Sequence, residues 1–482
     1  MVPRRPRRRA RDLIPITGLL LFALAARLTV ALSVPPWQGP DEPKHFEYVR
    51  TLLDKRDQLW AERRLPTLDD GIPALQQQII ASMAQYHFWA FLGRATPAPL
   101  PASFRDAFGE SWTQLHRPSL YYDLGAIELL PLQGQPIETQ LVALRALSAV
   151  LSALAVLPAF AIGRLVAPQD AFVATACAAL AAMLPMGVFI GGVANNDNLL
   201  LLFGTLATLG MVRGVVRGFS GRTWLLIVGG SLLGLLTKRG AAILLPGVGV
   251  CGIIWLARLH PARRRRVLVA LGVAVVVVVG GVVLGWISHT LPVERVLSTV
   301  SDYALNSPSQ LTNLLQVPLT TEQTRQIVAA ELEAYFKSFW GIFGWFAILL
   351  APAVYATLWL GTVACAVGGL GWVLGLGAGS AMSAKVRAAL AAVFATAVAA
   401  AIVAGIAERL AYYSPGEVPQ GRYLFVVLGA IAALYAVGAR TWLVLARRST
   451  LVPRLLVVGG LIALDVYAYL GTILPFYARS LP

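Results

Sequence analysis

Long uninterrupted apolar runs constrain this chain more than any other feature. A helix needs roughly 20 apolar residues to cross the hydrocarbon core of a bilayer. About eleven such runs occur, at 13–34, 145–166, 171–192, 198–212, 224–237, 241–259, 265–287, 351–375, 388–408, 422–440 and 455–475. The shortest are 198–212 and 224–237. Backbone in lipid must satisfy its own hydrogen bonds, so runs of this length fold as α-helices. The expected fold class is an all-α polytopic membrane protein with about eleven transmembrane helices. Only 13% of residues are charged, about half the share in soluble domains, which excludes soluble, disordered and fibrous classes. Cys177, Cys251 and Cys365 all lie in apolar runs without CxxC spacing, so neither a disulfide framework nor a zinc site is expected.

The net charge of +16 would suggest nucleic acid in a soluble protein. Its distribution points elsewhere. Six arginines in RRPRRRAR precede the first run and predict a cytoplasmic N-terminus and an uncleaved first span. Threading the runs alternately makes 1–12, 164–170, 213–222, 258–266, 376–387 and 440–454 cytoplasmic. These segments carry 21 Lys/Arg and two acids, Asp12 and Asp170. The basic excess is thus a topology signal, and no nucleic-acid partner is expected. Eleven spans put the C-terminus outside. The expected organisation is a basic N-terminus (1–12), a first helix (13–34), a large outer loop (35–144), helices two to seven (145–287), a second outer loop (288–350), and helices eight to eleven with the C-terminus (351–482). Long loops are usually functional, so chemistry is expected to face outward.

The first outer loop begins PPWQGPDEPKHFEYV. Prolines 35, 36, 40 and 43 end the first span. Asp41 can cap a new helix, and Glu42 suits its first turn. The alternative is a carboxylate pair at the membrane surface with His45 one turn on, able to act as general base toward a hydroxyl or to bind a divalent cation, Mg or Mn. On spacing alone the capping reading is the stronger. Further along, HRPSLYYDLGAIELLPL holds His116, Arg117, Tyr121, Tyr122, Asp123 and Glu128 in an amphipathic stretch too short to span. It predicts a helix lying in the interface. His116 and Arg117 either face a phosphate or are solvated charges; Tyr121 and Tyr122 are belt residues.

Other polar positions fall at the outer ends of spans. GGVANNDNLL places Asn195, Asn196, Asp197 and Asn198 as helix caps, or Asp197 as a second acid near the first. LLTKRGAAILLP sets Lys238 and Arg239 in a short outer turn; two adjacent cations suit a phosphate head group, or else simply snorkel. AYFKSFWGIFGWF offers Trp340 and Trp345 as anchors or as walls of an isoprenoid or sugar-stacking groove. SPGEVPQGRYLF supplies Glu417, Gln420, Arg422 and Tyr423 at the mouth of a span. Arg422 and Tyr423 are helix anchors or phosphate ligands. No GxxxxGK[ST], HExxH or soluble GxSxG motif occurs, which removes support for ATP hydrolysis and metalloprotease chemistry. Apart from Arg27 and Asp465 the spans hold almost no charge, which argues against ion-coupled transport.

Together these motifs resemble the GT-C superfamily of polytopic glycosyltransferases. One span followed by PDEPKHF at the head of a large outer loop is similar to its catalytic loop. HRPSLYYDL looks like the PPLYY interfacial helix of aminoarabinose and protein mannosyltransferases. NNDNLLLLF resembles their PDxLLxxF segment, and LLTKRGAAILLP their LTKxxxxxLLP turn. SFWGIFGW and QGRYLF look like a bacterial branch of predicted membrane proteins in that superfamily. The ordered motifs run from about 13 to 475.

The resemblance implies inverting transfer of a sugar from a polyprenyl-phosphate donor to a glycan, lipid or protein acceptor on the outer face of a bacterial inner membrane. An Arg to Lys ratio of 35 to 5 suits a high-GC bacterium. It further implies Asp41 as base, Glu42 as its support or as metal ligand, and Lys238, Arg239 and Arg422 on the leaving phosphate. Asp197 would hold the acceptor or tune Asp41. The alternatives are a lipid-linked sugar or polysaccharide translocase without bond chemistry, and a non-catalytic envelope assembly subunit.

Overall fold

The computed structural model describes residues 6–54, 72–108, 120–267, 269–270, 273, 322–376, 382–412, 420–446 and 451–479. Among these the chain is almost entirely helical; the one sheet pairs β1 (Ile342–Phe343) with β2 (Ile348–Leu349). Among the described residues, eight helices are long and apolar enough to cross a membrane, or nine when one bent pair counts as a single span. A multi-pass membrane protein is the result. The expected run 224–237 becomes the shorter apolar helix Gly221–Thr237, and most of 265–287 lies outside the described residues, as does 288–321 of the second loop.

The first span is α1 (Pro6–Ser33), and the next helix, α2 (Glu42–Asp54), opens the outer loop. That loop continues through α3 (Pro73–Gln85) and α4 (Leu120–Leu129). Spans resume with α5 (Ile137–Leu154), which runs on into α6 (Val156–Val166), and then with α7 (Ala171–Met183) and the short α8 (Pro185–Gly191). Next come α9 (Asp197–Arg217), α10 (Gly230–Thr237) and α11 (Leu245–Arg258). After the gap, α12 (Glu322–Gly341) leads through the hairpin to α13 (Pro352–Leu374), α14 (Ala384–Tyr412), α15 (Leu428–Leu445) and α16 (Leu451–Val466).

The apolar side chains form two cores. A large one joins the spanning helices. A smaller one, built on Trp37, Phe46, Val49, Ile79, Phe104, Tyr121, Tyr122 and Leu144, cements the outer loop to the ends of α5 and α9. The described parts of this loop thus form a packed cap on the bundle.

Arg27, fully buried in α1, shows how this bundle treats a charge in lipid. Pro185 bends the α7–α8 pair by 51° and offers no N–H to the turn before it. Arg27 donates instead to the Ala181 and Ala182 carbonyls at 3.0 and 2.8 Å, and to Ser152 Oγ at 2.9 Å. The guanidinium caps a broken helix. At the opposite end of α7, Asp170 caps Phe172 N–H and accepts from Arg440 Nε at 2.5 Å.

Candidate functional site

The turn between α1 and α2 sets the site. Trp37 and Asp41 have φ of 71° and 61°, a region that a bulky residue occupies only under constraint. The constraints are visible. Trp37 Nε1–H donates to Ser82 Oγ at 2.9 Å, Trp345 Nε1–H to the Trp37 carbonyl at 3.1 Å, and Asn195 Nδ2–H to the Pro40 carbonyl at 3.4 Å. Gly39 is needed for close approach, because a Cβ there would lie 2.7 Å from the Val193 side chain.

This turn sends two adjacent carboxylates to different partners. Glu42 is fully buried. Arg145, from α5, grips both its oxygens at 2.7 Å, and the Ala194 and Gly39 amides donate to them at 3.1 and 3.3 Å. Arg145 also donates to the Ala31, Val34 and Pro35 carbonyls at 3.0, 2.7 and 3.0 Å, closing the C-terminal end of α1. Asp41, by contrast, is 27% exposed and pairs with Arg422 and, at 3.6 Å, with Lys44. Its carboxylate thus lies among cations at the start of α2.

Arg422 reaches Asp41 across 381 positions of sequence. It stands on the 3-10 turn Gly421–Val427. Gly421 lets that turn pack on the α12 backbone, where a Cβ would meet Phe339 N at 2.1 Å, and its N–H donates to Ser338 Oγ at 2.7 Å. Arg422 Nε lies 3.5 Å from Asp197 Oδ2, and its buried Nη1 has no hydrogen-bond partner. Asp197 starts α9, where the helix dipole favours an anion, and Asn195 Oδ1 accepts its N–H at 2.8 Å. Lys238 Nζ lies 2.5 Å from Asp197 Oδ1 and 5.4 Å from the Tyr423 ring centroid; it is 26% exposed.

His45 completes the floor. Its Nδ1 lies 2.9 Å from Tyr122 OH, which accepts from Asn196 Nδ2–H at 3.1 Å, and its ring stacks on Tyr122. Burial lowers the imidazole to about 3; Asp41 opposes that shift, and Lys238 and Arg422 reinforce it. His45 is therefore neutral at pH 7. For Asp41, burial raises the carboxyl, but Arg422, Lys44 and His45 outweigh it and hold it well below the usual carboxylate range. Tyr121 lies alongside, its hydroxyl 2.8 Å from Ser148 Oγ, with burial pushing its ionisation up.

The structure thus brings Asp41, His45, Tyr122, Asp197, Lys238, Arg422 and Tyr423 to one place. Gln420 precedes the 3-10 turn and accepts Tyr423 N–H at 2.9 Å. Arg239, half-buried, opens the turn after Lys238. Trp340 is elsewhere. Its ring packs on Phe339 and Tyr435 and lines an apolar cavity of about 640 Å³ among α7, α13, α15 and α16. His116, Arg117 and Glu417 lie outside the described residues.

A divalent cation does not fit the acid pair as built. Glu42 has both oxygens engaged by Arg145, Asp41 faces cations, and no group of three metal-ligating side chains occurs among the described residues. Three cations, Lys44, Lys238 and Arg422, surround two acids, and an unsatisfied guanidinium N–H remains. Such a cluster suits an anion with several oxygens. Sequence reasoning missed Arg145 and Lys44. The available signal for Arg145 was a lone arginine at the start of an apolar run. No model of a known protein family matches the chain, and no curated protein matches it.

Proposed function

We propose that this chain is an inverting membrane glycosyltransferase of GT-C type that uses a polyprenyl-phosphate sugar as donor. A glycan, lipid or protein on the outer face of a bacterial inner membrane is the acceptor. In this reading the N-terminus is cytoplasmic, about eleven helices span the bilayer, and the C-terminus is outside, as the basic segments indicate. The observation that carries the reading is the convergence of Asp41, Asp197, Lys238 and Arg422 from distant segments into one partly open ion cluster.

Asp41 takes the proton of the acceptor hydroxyl as that oxygen bonds to the anomeric carbon. The bond from that carbon to the phosphate oxygen breaks, its electron pair goes to the leaving lipid phosphate, and the anomeric centre inverts. Arg422 and Lys238 stabilise the charge developing on the phosphate. Before donor binds, Arg422 holds Asp41 at low basicity. A donor phosphate competes for Arg422 and Lys238, loosens both from their carboxylates, and so raises the basicity of Asp41 when a substrate is present. Neutral His45, fixed by Tyr122, offers hydrogen bonding without adding charge.

The test is sugar transfer in purified membranes supplied with a panel of polyprenyl-phosphate sugars, wild type against Asp41→Asn at matched protein level. Donor consumption that needs Asp41 supports the transferase. Donor that crosses the bilayer unconsumed, equally in both proteins, replaces it with a translocase.

A further inference from the structure

Helix α16 is seated in an unusual way. Over Leu451–Val466 its single buried residue is Asp465. A groove of about 390 Å³ runs between this helix, α1 and α7, within the roughly 300–1,000 Å³ range of small-molecule sites. Its lining is apolar except for Thr175 and Arg454. The Thr175 hydroxyl already donates to the Ala171 carbonyl at 2.8 Å. The interior therefore gives a water molecule almost no partners, and hydrocarbon is the matching occupant. Leu451 and Leu455, on its rim, are 59% and 66% exposed, which places the opening on the lipid-facing side.

The groove has one charged end. Arg454 stands one turn from the start of α16, beside the half of α1 remote from Asp41. A basic residue at one end of a spanning helix attracts an anionic head group.

We propose that this groove binds a bilayer phospholipid with an anionic head group. One acyl chain lies along α1, α7 and α16, with the phosphate at Arg454. The bound lipid completes packing that α16 does not achieve with its own side chains. The site lies at the end of α1 away from the Asp41 cluster, and the inference does not depend on the transferase reading.

Gly18 gives a clean probe. It lines the groove, and a Cβ added there meets nothing within 4 Å, so the larger side chain of Gly18→Phe starts in open space and competes with an acyl chain for the groove. The full chain in detergent would be mixed with phosphatidylglycerol or phosphatidylcholine and followed by native mass spectrometry and thermal unfolding. Wild type should retain phosphatidylglycerol with about fivefold preference, the effect of one basic residue near a head group. Arg454→Gln should remove the preference. Gly18→Phe should reduce retention of both lipids while unfolding no earlier than wild type in lipid-free micelles. Equal retention of phosphatidylglycerol by wild type and Gly18→Phe, or a wild type indifferent to head group, overturns the proposal.

Discussion

Asp41 and Glu42 are consecutive carboxylates, yet their surroundings differ in kind. Glu42 has its charge matched by Arg145 and its oxygens further bonded by backbone amides, with no exposure to solvent. Asp41 keeps a quarter of its surface open, adopts a positive φ, and shares Arg422 with Asp197. A buried ion pair is tolerated when every lone pair is answered. A cluster with an unanswered guanidinium N–H is instead poised to accept a further anion. The difference separates the acid that holds the outer turn in place from the acid that is available for chemistry.

The comparison can be broken most forcefully at Arg145. Arg145→Ala leaves Glu42 as an uncompensated buried charge and frees the Ala31 carbonyl of α1 and the Val34 and Pro35 carbonyls just past it. We expect about 3–5 kcal/mol of destabilisation, read as a loss of folded protein in detergent unfolding. A shift below about 1 kcal/mol would mean that the pair is dispensable. Asp41→Asn should do the reverse. Transfer should fall by about 10²-fold or more, with a smaller loss of stability than Arg145→Ala, because Asp197 still faces the Arg422 guanidinium; a large loss of stability with transfer intact would return Asp41 to a structural role.

A pH experiment separates the neutral floor from the charged rim. His45 has its folded value lowered by burial to about 3, whereas the unfolded chain titrates near the usual histidine value of about 6.5. Between these limits the unfolded state binds more protons, so His45 removes stability as pH falls from about 6.5 toward 3. Glu47, raised by burial to about 7, works in the opposite direction over part of that window. It binds its proton more readily when folded, and so loses stability as pH rises from about 4.5 to 7. The thermal unfolding of His45→Gln, compared with wild type between pH 4 and 6.5, should therefore lose less stability on acidification. Identical slopes would show that His45 is protonated in the folded protein. The smallest effect is expected at Lys44→Ala, which removes a partly exposed partner 3.6 Å from Asp41. About 0.2–1 kcal/mol is the scale of such pairs, and a loss several times larger would move Lys44 into the structural set.

Much of the cluster was legible in the sequence because its members are charges at the ends of apolar runs. Lys238 and Arg422 are cations at span ends expected to lie outside, against the positive-inside bias, while Asp41 and Asp197 are acids at helix starts, where the helix dipole favours them. What the sequence left ambiguous was partnership. Asp41 and Glu42 look like one pair on paper, and only the fold assigns Glu42 to Arg145 and Asp41 to Arg422. Trp340 shows the converse. Its motif reads as a wall of the site, but its ring faces the apolar cavity among α7, α13, α15 and α16.

The sequence by itself determined that this is a helical, multi-pass membrane protein, because lipid solvation sums over some 20 contiguous residues and needs no knowledge of neighbours. It also determined which charged residues are out of place. The tertiary structure decided which charges meet. Coulomb attraction and hydrogen bonding act over a few ångströms of space, and here that space closes between Asp41 and Arg422, 381 positions apart in the chain.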